Sequence, residues 1–353
     1  MTFQIAYLPG DGVGPEVSAA ARDVMLKAAS LFGVSLAFQE FDFGGIAIDR
    51  HGEPFPAATK AACLDAGAVF LGAVGGPQWD GAAVRPEAGL LALRKALGVY
   101  ANLRPTRVMP GREGLSPLKP DRASGVDLLI VRELTGGLYF GERVEGGERA
   151  SDACVYTSAE VERVARIAFE AARGRRRKVA SVDKANVLAT GRLWRKTVSA
   201  LQAREYPDVA LDHVLVDAMA MKLIQHPAAF DVILTENLFG DILSDEASVI
   251  AGSIGLAPSA SIGDGASGLY EPIHGSAPDI AGQDKANPAG AILSGAMIFR
   301  HSLKHEAAAQ AIERAVEAAI NAGFGTADIA GKDGCRSFGE RVEAMVGNAQ
   351  EAP

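Results

Sequence analysis

The stretch FDVILTENLFGDILSDEAS, residues 230–248, predicts a strand, a turn and a helix that carry the most informative side chains of the chain. Residues 230–234 form an apolar run of strand length, and Asn237 is placed to cap the helix that follows. Asp241 and Asp245 then share one face of this helix, with about 6 Å between their Cβ atoms. The apolar face is predicted to contain Phe239, Ile242, Leu243, Ala247 and Ile250.

The sequence around these two aspartates holds no positive charge. Between Lys222 and Lys285 the chain has nine Asp or Glu residues and no Lys or Arg. Two carboxylates one helical turn apart repel by less than about 1 kcal/mol in water and by roughly 3 kcal/mol at an effective dielectric constant of 20. Spacing alone favours a solvated acidic helix face, whereas an aspartate pair in a cleft would require a cation.

A cation at this pair would be a hard divalent ion. Carboxylate oxygens suit Mg2+ or Mn2+. No His or Cys stands at ligand spacing beside the aspartates, which argues against zinc.

Length and composition indicate a soluble globular protein with two domains. The 353 residues are 48% hydrophobic, and a net charge of −8 speaks against non-specific binding to nucleic acid or anionic membranes. Three cysteines, far apart in the sequence, suggest neither a disulfide framework nor a thiolate metal site. A strand begins at residue 3 and no apolar stretch reaches membrane-spanning length, so we expect a cytoplasmic protein with no membrane or nucleic-acid partner.

Strand and helix patterns alternate along the first part of the chain: strand 3–8, glycine turn 10–14, helix to about 31, strand 35–41, helix 57–66 and strand 68–72. This alternation indicates an α/β architecture with largely parallel pairing. The glycines at 10, 12 and 14 do not form the dinucleotide fingerprint. The turn is therefore either simply tight or the edge of a cofactor site.

Charged side chains follow or end five predicted strands: Arg104 at 100–104, Arg132 at 126–132, Lys184 after 178–182, Asp217 at 213–217, and the aspartate helix after 230–234. Open α/β sheets bind ligands at the carboxyl ends of their strands, so we expect these groups to converge. Arginine forks recognise carboxylates, which indicates a small polycarboxylate ligand. Lys184, close to two cations, would have a lowered pKa and serve as a base.

RPEAGLLALRKALG, residues 85–98, predicts a helix on which Glu87, Leu90, Leu91 and Arg94 recur at three- and four-residue spacing. These side chains could line one wall of the ligand site, with Arg94 joining the other two arginines. The alternative is a leucine stripe that faces the core, with the arginine exposed, and these residues taken alone favour it.

The segment EPIHGSAPDIAG, residues 271–282, follows a glycine-rich stretch that we expect to be irregular. Its Gly-Ser turn offers backbone donors to a phosphate. Asp279 would accept a hydrogen bond from a ribose hydroxyl and repel a 2′-phosphate, which favours NAD. A structural surface loop explains these residues equally well.

These motifs resemble those of the β-decarboxylating dehydrogenases, the family of 3-isopropylmalate, isocitrate, homoisocitrate and tartrate dehydrogenases. The resemblance runs from GDGVGPE at residue 10 to TADIAG at residue 326. Its most specific stretches are RPEAGLLALRKALGVYANLRP, RELTGGLYFGE, VDKANVL, TENLFGDILSDEAS and YEPIHGSAPDIAGQDKANP. Leu90 and Leu91 stand where isocitrate dehydrogenases usually carry a serine, which favours the isopropylmalate branch.

The resemblance implies NAD-dependent oxidative decarboxylation of (2R,3S)-3-isopropylmalate to 4-methyl-2-oxopentanoate, a step of leucine biosynthesis. Bound Mg2+ or Mn2+ would act as a Lewis acid. Tartrate, homoisocitrate or another alkylmalate is an alternative substrate. A catalytically silent dinucleotide-binding regulator is a further alternative, but such a protein would be expected to have lost Lys184 or a metal-binding aspartate.

The resemblance also implies roles for individual residues. The catalytic residues would be Lys184 as general base, Tyr139 as the acid that protonates the enol, and Asp217. The metal ligands would be Asp217, Asp241 and Asp245. The substrate contacts would be Leu90, Leu91, Arg94, Arg104 and Arg132. The NAD contacts would be Glu87, His274, Gly275, Ser276, Ala277, Asp279 and Asn287.

The fold implied by the resemblance has two open α/β domains that share a largely parallel central sheet, and it is not a Rossmann fold. Residues 1–100 and 252–353 would form a discontinuous cofactor-side domain. Residues 101–251 would form the domain for substrate, metal and dimerisation. In the expected homodimer, Lys184 and Asp217 reach the active site from the partner subunit.

Overall fold

A computed structural model describes residues 2–81, 84–265 and 267–347. The chain divides into two compact units, of which the first contains residues 1–99 and 252–353 and the second contains residues 100–251. None of the helices in the described ranges is both long and apolar enough to cross a membrane.

Strands and helices alternate along much of the chain. The strands are β1 (Phe3–Gly10), β2 (Leu36–Glu40), β3 (Ala68–Ala73), β4 (Val99–Arg107), β5 (Asp127–Glu133), β6 (Arg143–Val144), β7 (Ser151–Asp152), β8 (Lys178–Asp183), β9 (Ala210–Leu215), β10 (Val232–Thr235), β11 (Pro258–Gly263) and β12 (Gly268–Pro272). The helices are α1 (Gly14–Leu31), α2 (Gly45–His51), α3 (Ala57–Asp65), α4 (Pro86–Leu97), α5 (Pro120–Ala123), α6 (Ser158–Arg173), α7 (Ala189–Glu205), α8 (Val216–Gln225), α9 (Asn237–Ile250), α10 (Ala289–His301), α11 (Glu306–Asn321) and α12 (Cys335–Val346).

The strands of the first unit lie in the order β2-β1-β3-β12-β11. Only the β11–β12 pair is antiparallel among these neighbours, and β1 pairs in parallel with both β2 and β3. Leu8, Leu71 and Leu93 are fully buried in its core, which therefore joins the first parallel strands to α4. Helix α1 packs against α10 and α12.

The strands of the second unit lie in the order β4-β5-β10-β8-β9, and among these neighbours only β4 and β5 are antiparallel. Its core buries Ile130 and Ile233 from the sheet and Leu243 from α9. Helix α6 packs against α7, and α8 packs against α9. The predicted α/β class with largely parallel pairing is therefore confirmed.

Several local predictions were wrong. The stretch after residue 252 is not irregular, because β11 and β12 pair there as an antiparallel hairpin. Arg104 does not end its strand: Pro105 pairs with Leu129 inside the antiparallel ladder, and β4 continues to Arg107. Asp217 lies in the first turn of α8 and not at the end of β9.

The start of α9 also differs from the prediction. Glu236, and not Asn237, is the N-cap residue, and its carboxylate accepts a hydrogen bond from the Phe239 backbone N–H at 2.9 Å. Asn237 is the first residue of the helix and is 1% exposed. Ile242, which was predicted to face the core, is 60% exposed, whereas Leu243 and Ala247 are buried.

The glycine turn between β1 and α1 is shaped by contact with another loop of the same unit. Gly12 has a φ of +59°, and a Cβ atom built there would lie 1.9 Å from the carbonyl oxygen of Ser276. The same carbonyl accepts a hydrogen bond from the Val13 N–H at 2.8 Å. The turn is therefore tight because it supports the segment around Ser276.

We predict that Gly12→Ala destabilises the protein more than Gly33→Ala. Gly33 also has a left-handed φ, +68°, but a Cβ atom there would meet nothing within 4 Å. Both variants carry the left-handed cost of about 1–2 kcal/mol, and only Gly12→Ala adds the clash, for a further loss of about 1–3 kcal/mol. Urea unfolding of both variants measures the difference, and equal transition midpoints would contradict the prediction.

Candidate active site

Helix α9 presents Asp241 and Asp245 one turn apart on a partly open face. Their side chains are 36% and 56% exposed. Ser244 and Ser248, which continue the polar face in the sequence, are 1% exposed, and their hydroxyls donate to the carbonyls of Asp241 and Asp245. The serines therefore support the helix, and the two carboxylates are the groups available to a ligand.

Two arginines from neighbouring strands neutralise these aspartates. Arg104 on β4 lies 3.3 Å from Asp245 and 3.7 Å from Asp241, measured from its Nη1 atom. Arg132 on β5 donates from Nη1 to Asp241. The sequence around the aspartates holds no base, but the fold supplies two, so the pair is not the unneutralised stripe that local sequence indicated.

Desolvation is the main cause that raises the pKa of Asp245 above its usual value. The positive charge of Arg104 opposes this shift, and the negative charge of Asp241 adds to it. A cation bound at the open face would favour the ionised carboxylate further. Two oxygen-donor side chains of this kind fit a hard divalent ion.

Tyr139 lies at the end of a 3₁₀ turn formed by residues Gly137–Tyr139. Its hydroxyl donates to Asp241 Oδ2 at 2.9 Å, and the guanidinium carbon of Arg132 lies 5.7 Å from the ring centroid. Desolvation first, and then the charge of Asp241, raise the pKa of Tyr139 above its usual value. The phenol therefore stays protonated at neutral pH and can donate a proton.

Each of the two arginines is held by a buried asparagine that the sequence analysis did not assign to the site. Arg104 Nε donates to Asn102 Oδ1 at 2.6 Å. Arg132 donates to Asn237 Oδ1 from Nε at 3.2 Å and from Nη2 at 2.8 Å. Asn102 and Arg104 are two apart on one strand and so share a face, which is a signal that the sequence did contain.

Lys184 and Asp217 form a separate pair in the same unit. Lys184 directly follows β8, as predicted, and its Nζ lies 3.0 Å from Asp217 Oδ1. Lys184 is the first cause of the lowered pKa of Asp217. Within one chain the partner of Lys184 is therefore an acid. The expected proximity of Lys184 to the two arginines involves a second subunit and stays a prediction.

The three aspartates predicted as metal ligands are not all brought together within one chain. Across residues 2–81, 84–265 and 267–347, no group of three or more His, Cys, Asp or Glu side chains is arranged to hold a metal ion. Within one chain, Asp241 and Asp245 therefore lie together on α9, and Asp217 lies elsewhere, beside Lys184.

In the first unit, Arg94 on α4 is buried and not exposed, which excludes the exposed-arginine interpretation of this helix. It forms an ion pair with Glu271 of β12 at 3.0 Å, and the two side chains are 9% and 11% exposed. The Arg94 Nε atom is buried without a hydrogen-bond partner in the described structure. Glu271 was missed by the sequence analysis, because strand periodicity does not identify a partner on a helix.

The other predicted residues of α4 differ in burial. Leu90 packs against the core of the first unit, and Leu91 is half-buried. Glu87 is exposed, and its carboxylate lies beside Gly75.

The loop after β12 carries the residues predicted to bind the dinucleotide. His274 Nδ1 is 2.9 Å from the Gly275 carbonyl, and its Nε2 is buried without a partner in the described structure. Burial lowers the pKa of His274, so the imidazole is neutral. Its one N–H is then Nδ1–H, which donates to the Gly275 carbonyl, and Nε2 can accept a hydrogen bond from a ligand hydroxyl. Asp279 is exposed and available to a ligand.

Three further residues of this group have conformational or structural roles. Ser276 is buried and supports the glycine turn, and Ala277 has a φ of +38°. Asn287 donates to Asp328 at 3.0 Å and accepts from the Ala289 N–H, so its side chain orders the start of α10.

Comparison with known proteins identifies the family. The model of the isocitrate/isopropylmalate dehydrogenase family matches residues 4–342. The chain is 54% identical to a 3-isopropylmalate dehydrogenase of Gloeobacter violaceus, over 98% of this chain and 99% of the relative. It is also 54% identical to 3-isopropylmalate dehydrogenase 2, chloroplastic, of Arabidopsis thaliana, over 98% and 88% of the two chains.

Solved structures agree with this result. An isocitrate dehydrogenase from Methylococcus capsulatus matches with a TM-score of 0.88 and 36% identity, over 98% of this chain and 99% of that one. A β-decarboxylating dehydrogenase from Thermococcus kodakarensis, in its apo form, matches with a TM-score of 0.80 and 36% identity, over 98% and 96%. The chain belongs to the isocitrate/isopropylmalate dehydrogenase family.

Proposed function

We propose that this protein oxidises and decarboxylates (2R,3S)-3-isopropylmalate to 4-methyl-2-oxopentanoate with NAD+, as a step of leucine biosynthesis. The observation that carries the proposal is the cluster of Arg104, Arg132, Asp241, Asp245 and Tyr139 in a chain 54% identical to a 3-isopropylmalate dehydrogenase over nearly its full length. The cluster combines groups that bind carboxylates, groups that bind a metal and a proton donor.

The substrate is a diacid with an apolar branch, and the residues of the site match both properties. Arg104 and Arg132 are fixed guanidinium groups that can each meet a carboxylate. Arg94, in the first unit, is assigned to the same role, and its orientation is fixed by Glu271. Leu91, which is half-buried beside the core-packed Leu90, is the better placed of the two leucines to contact an isopropyl group.

The residues present fit a divalent ion and a nicotinamide dinucleotide. Asp241 and Asp245 would hold Mg2+ or Mn2+ together with Asp217. His274, Gly275 and Asp279 would contact NAD, with Ser276, Ala277 and Asn287 shaping the loop and Glu87 on the nicotinamide side. When bound, the dinucleotide supplies a hydride acceptor and the ion supplies a Lewis acid for the 2-oxygen.

The side chains of the protein would then transfer the two protons of the reaction, one from the C2 hydroxyl and one to C3. The two arginines would fix the diacid so that its C2 hydroxyl lies near Lys184 of the partner subunit. This lysine, in its neutral amine form, would remove the hydroxyl proton as the hydride leaves C2. As carbon dioxide departs from C3, Tyr139 donates its phenolic proton to that carbon, because burial and the charge of Asp241 keep the phenol protonated until then.

We propose a homodimer in which Lys184 and Asp217 serve the Asp241–Asp245 pair of the partner subunit. This arrangement would complete the metal site that the described part of one chain does not assemble. Helices α8 and α9 also expose aliphatic side chains that a second copy would cover: Met221, Ile224, Ile242 and Val249. The second unit would then be the dimerisation domain. The first unit, which carries the loop with His274 and Asp279, would be the cofactor-side domain.

A cytoplasmic location is part of the same proposal. Cys63, Cys154 and Cys335 are all free thiols. Free cysteines without a disulfide framework fit a reducing compartment.

We expect 3-isopropylmalate with NAD+ to give the highest kcat/KM in a panel of 2-hydroxy diacids that also contains isocitrate, homoisocitrate and tartrate. NADH formation would be followed with NAD+ or NADP+, with Mg2+, Mn2+ or EDTA. EDTA should abolish the reaction, and NADP+ should react poorly because Asp279 repels the 2′-phosphate. A higher kcat/KM for another diacid would reassign the substrate, and no NADH from any of them would favour the regulator.

We expect Lys184→Met and Tyr139→Phe to fail at different steps. Lys184→Met should lower NADH formation by about 100-fold or more, because it removes the base of the oxidation step. Tyr139→Phe should form NADH but release carbon dioxide more slowly, because it removes the proton donor. Rapid measurement of both products separates the steps, and a lysine variant as active as the wild type would refute the assignment.

Mixing two inactive variants tests whether the site is shared between subunits. Lys184→Met and Asp241→Asn subunits, unfolded and refolded together, should regain about a quarter of wild-type activity, because half of the dimers are mixed and each of these has one intact site. Each variant refolded alone is the control. If Lys184 and Asp241 acted within one chain, mixing would restore nothing.

A further inference from the structure

We propose that Asn237 is a positioning residue that holds Arg132 and the turn before Tyr139 in one fixed geometry, so that substrate binding and proton donation are coupled. The inference rests on the proposed function and assigns a role to a residue that does not touch the reacting atoms. It is carried by the hydrogen bonds of the Asn237 amide.

The orientation of this amide is determined by its two neighbours. Its Oδ1 accepts from Arg132 Nε at 3.2 Å and Nη2 at 2.8 Å, and its Nδ2 donates to the Gly136 carbonyl at 3.1 Å. A guanidinium can only donate and a backbone carbonyl can only accept. A flipped amide would lose all three hydrogen bonds. The hydrogen-bond partners therefore determine which amide atom is the oxygen and which is the nitrogen.

Asn237 is itself held firmly. Its side chain and backbone are 1% exposed in total, and its backbone N–H, at the first position of α9, donates to the Tyr156 hydroxyl at 3.0 Å. Helix N-termini leave such N–H groups without a partner in the helix, and Tyr156 satisfies this one. The Tyr156 hydroxyl donates in turn to Glu236 at 3.3 Å. The backbone of Asn237 is therefore part of a buried hydrogen-bond network with Tyr156 and Glu236.

These contacts close a ring of interactions. Arg132 donates to Asp241, and the Tyr139 hydroxyl donates to the other oxygen of the same carboxylate. Tyr139 ends the 3₁₀ turn that directly follows Gly136, and Gly136 accepts from Asn237. A shift of the Arg132 guanidinium would therefore disturb the Tyr139 turn through Asn237 as well as through Asp241.

Two substitutions separate the two halves of this role. Asn237→Ala removes the acceptor for Arg132 and the donor to Gly136. Asn237→Asp retains an acceptor for Arg132 but places a carboxylate oxygen against the Gly136 carbonyl oxygen, which repels it. The alanine variant should therefore impair substrate binding and also loosen the turn that carries Tyr139, whereas the aspartate variant should mainly displace the turn.

The test is steady-state and product-ratio kinetics of the full-length dimer with 3-isopropylmalate, NAD+ and Mg2+. Asn237→Ala should raise the KM for 3-isopropylmalate by about 10- to 100-fold, the usual effect of losing hydrogen bonds to a charged group, and leave the KM for NAD+ within about twofold. Asn237→Asp should change that KM by less, and its early ratio of carbon dioxide to NADH should fall, as in Tyr139→Phe.

Gln202→Ala is the matched control. This amide lies on α7 of the same unit and donates to the carbonyls of Tyr206 and Val209, so its loss tests the effect of removing a structural amide. It should leave both KM values and the product ratio unchanged. If Asn237→Ala does not fold, as judged by circular dichroism, the product ratio of Asn237→Asp decides alone.

The inference is overturned if the folded Asn237 variants keep the wild-type KM and product ratio, or if the KM values for both substrates rise equally. A wild-type protein that forms no NADH from 3-isopropylmalate would refute the proposed function. Wild-type turnover combined with unaffected Asn237 variants would refute this inference alone.

Discussion

Two carboxylates one helical turn apart need positive charge close by, and this requirement organises the second unit. Repulsion between such a pair grows as water is excluded, and α9 packs its serine-lined side into the protein while leaving Asp241 and Asp245 partly open. The fold brings Arg104 and Arg132 against them from two strands. The same two guanidinium groups can serve a diacid, so neutralisation of the aspartates and recognition of the substrate use one set of cations.

The residues that bind and the residues that orient are of different kinds. The arginines that would bind the substrate are themselves buried, and each is fixed by a buried neutral amide or an opposite charge: Asn102 for Arg104, Asn237 for Arg132 and Glu271 for Arg94. A long side chain has many rotamers, and ordering it beforehand lowers the cost of binding. The precision of the site therefore depends on residues that never reach the ligand.

Much of this was predictable from the sequence, and the failures have physical causes. Strand and helix periodicity identified most elements, and Lys184 was correctly placed after its strand. Periodicity gives the face of an element and not its partner, so the Arg94–Glu271 pair was not predicted. The proximity of Arg104 and Arg132 to the aspartates of α9 was expected, because ligand-binding groups gather at the carboxyl ends of strands. Asn237 was predicted to cap the helix because the N–H groups of a helix N-terminus need an acceptor and asparagine often supplies it, but Glu236 fulfils that function. Ile242 was assigned to the core on spacing, although surface coverage by another chain would leave the same pattern.

The antiparallel pairing of β4 and β5 has a consequence for how this site can evolve. Asn102 lies opposite Arg132, so Arg104 is the diagonal neighbour of Arg132 on one face of the ladder. The distance between the two guanidinium stems is thus set by strand register, and diagonal neighbours are about 7–8 Å apart. The connecting residues 108–126 lie outside the paired residues of the ladder, so the register of β4 and β5 sets this distance. A one-residue deletion inside either strand would carry one arginine to the opposite face of the sheet and remove it from the site.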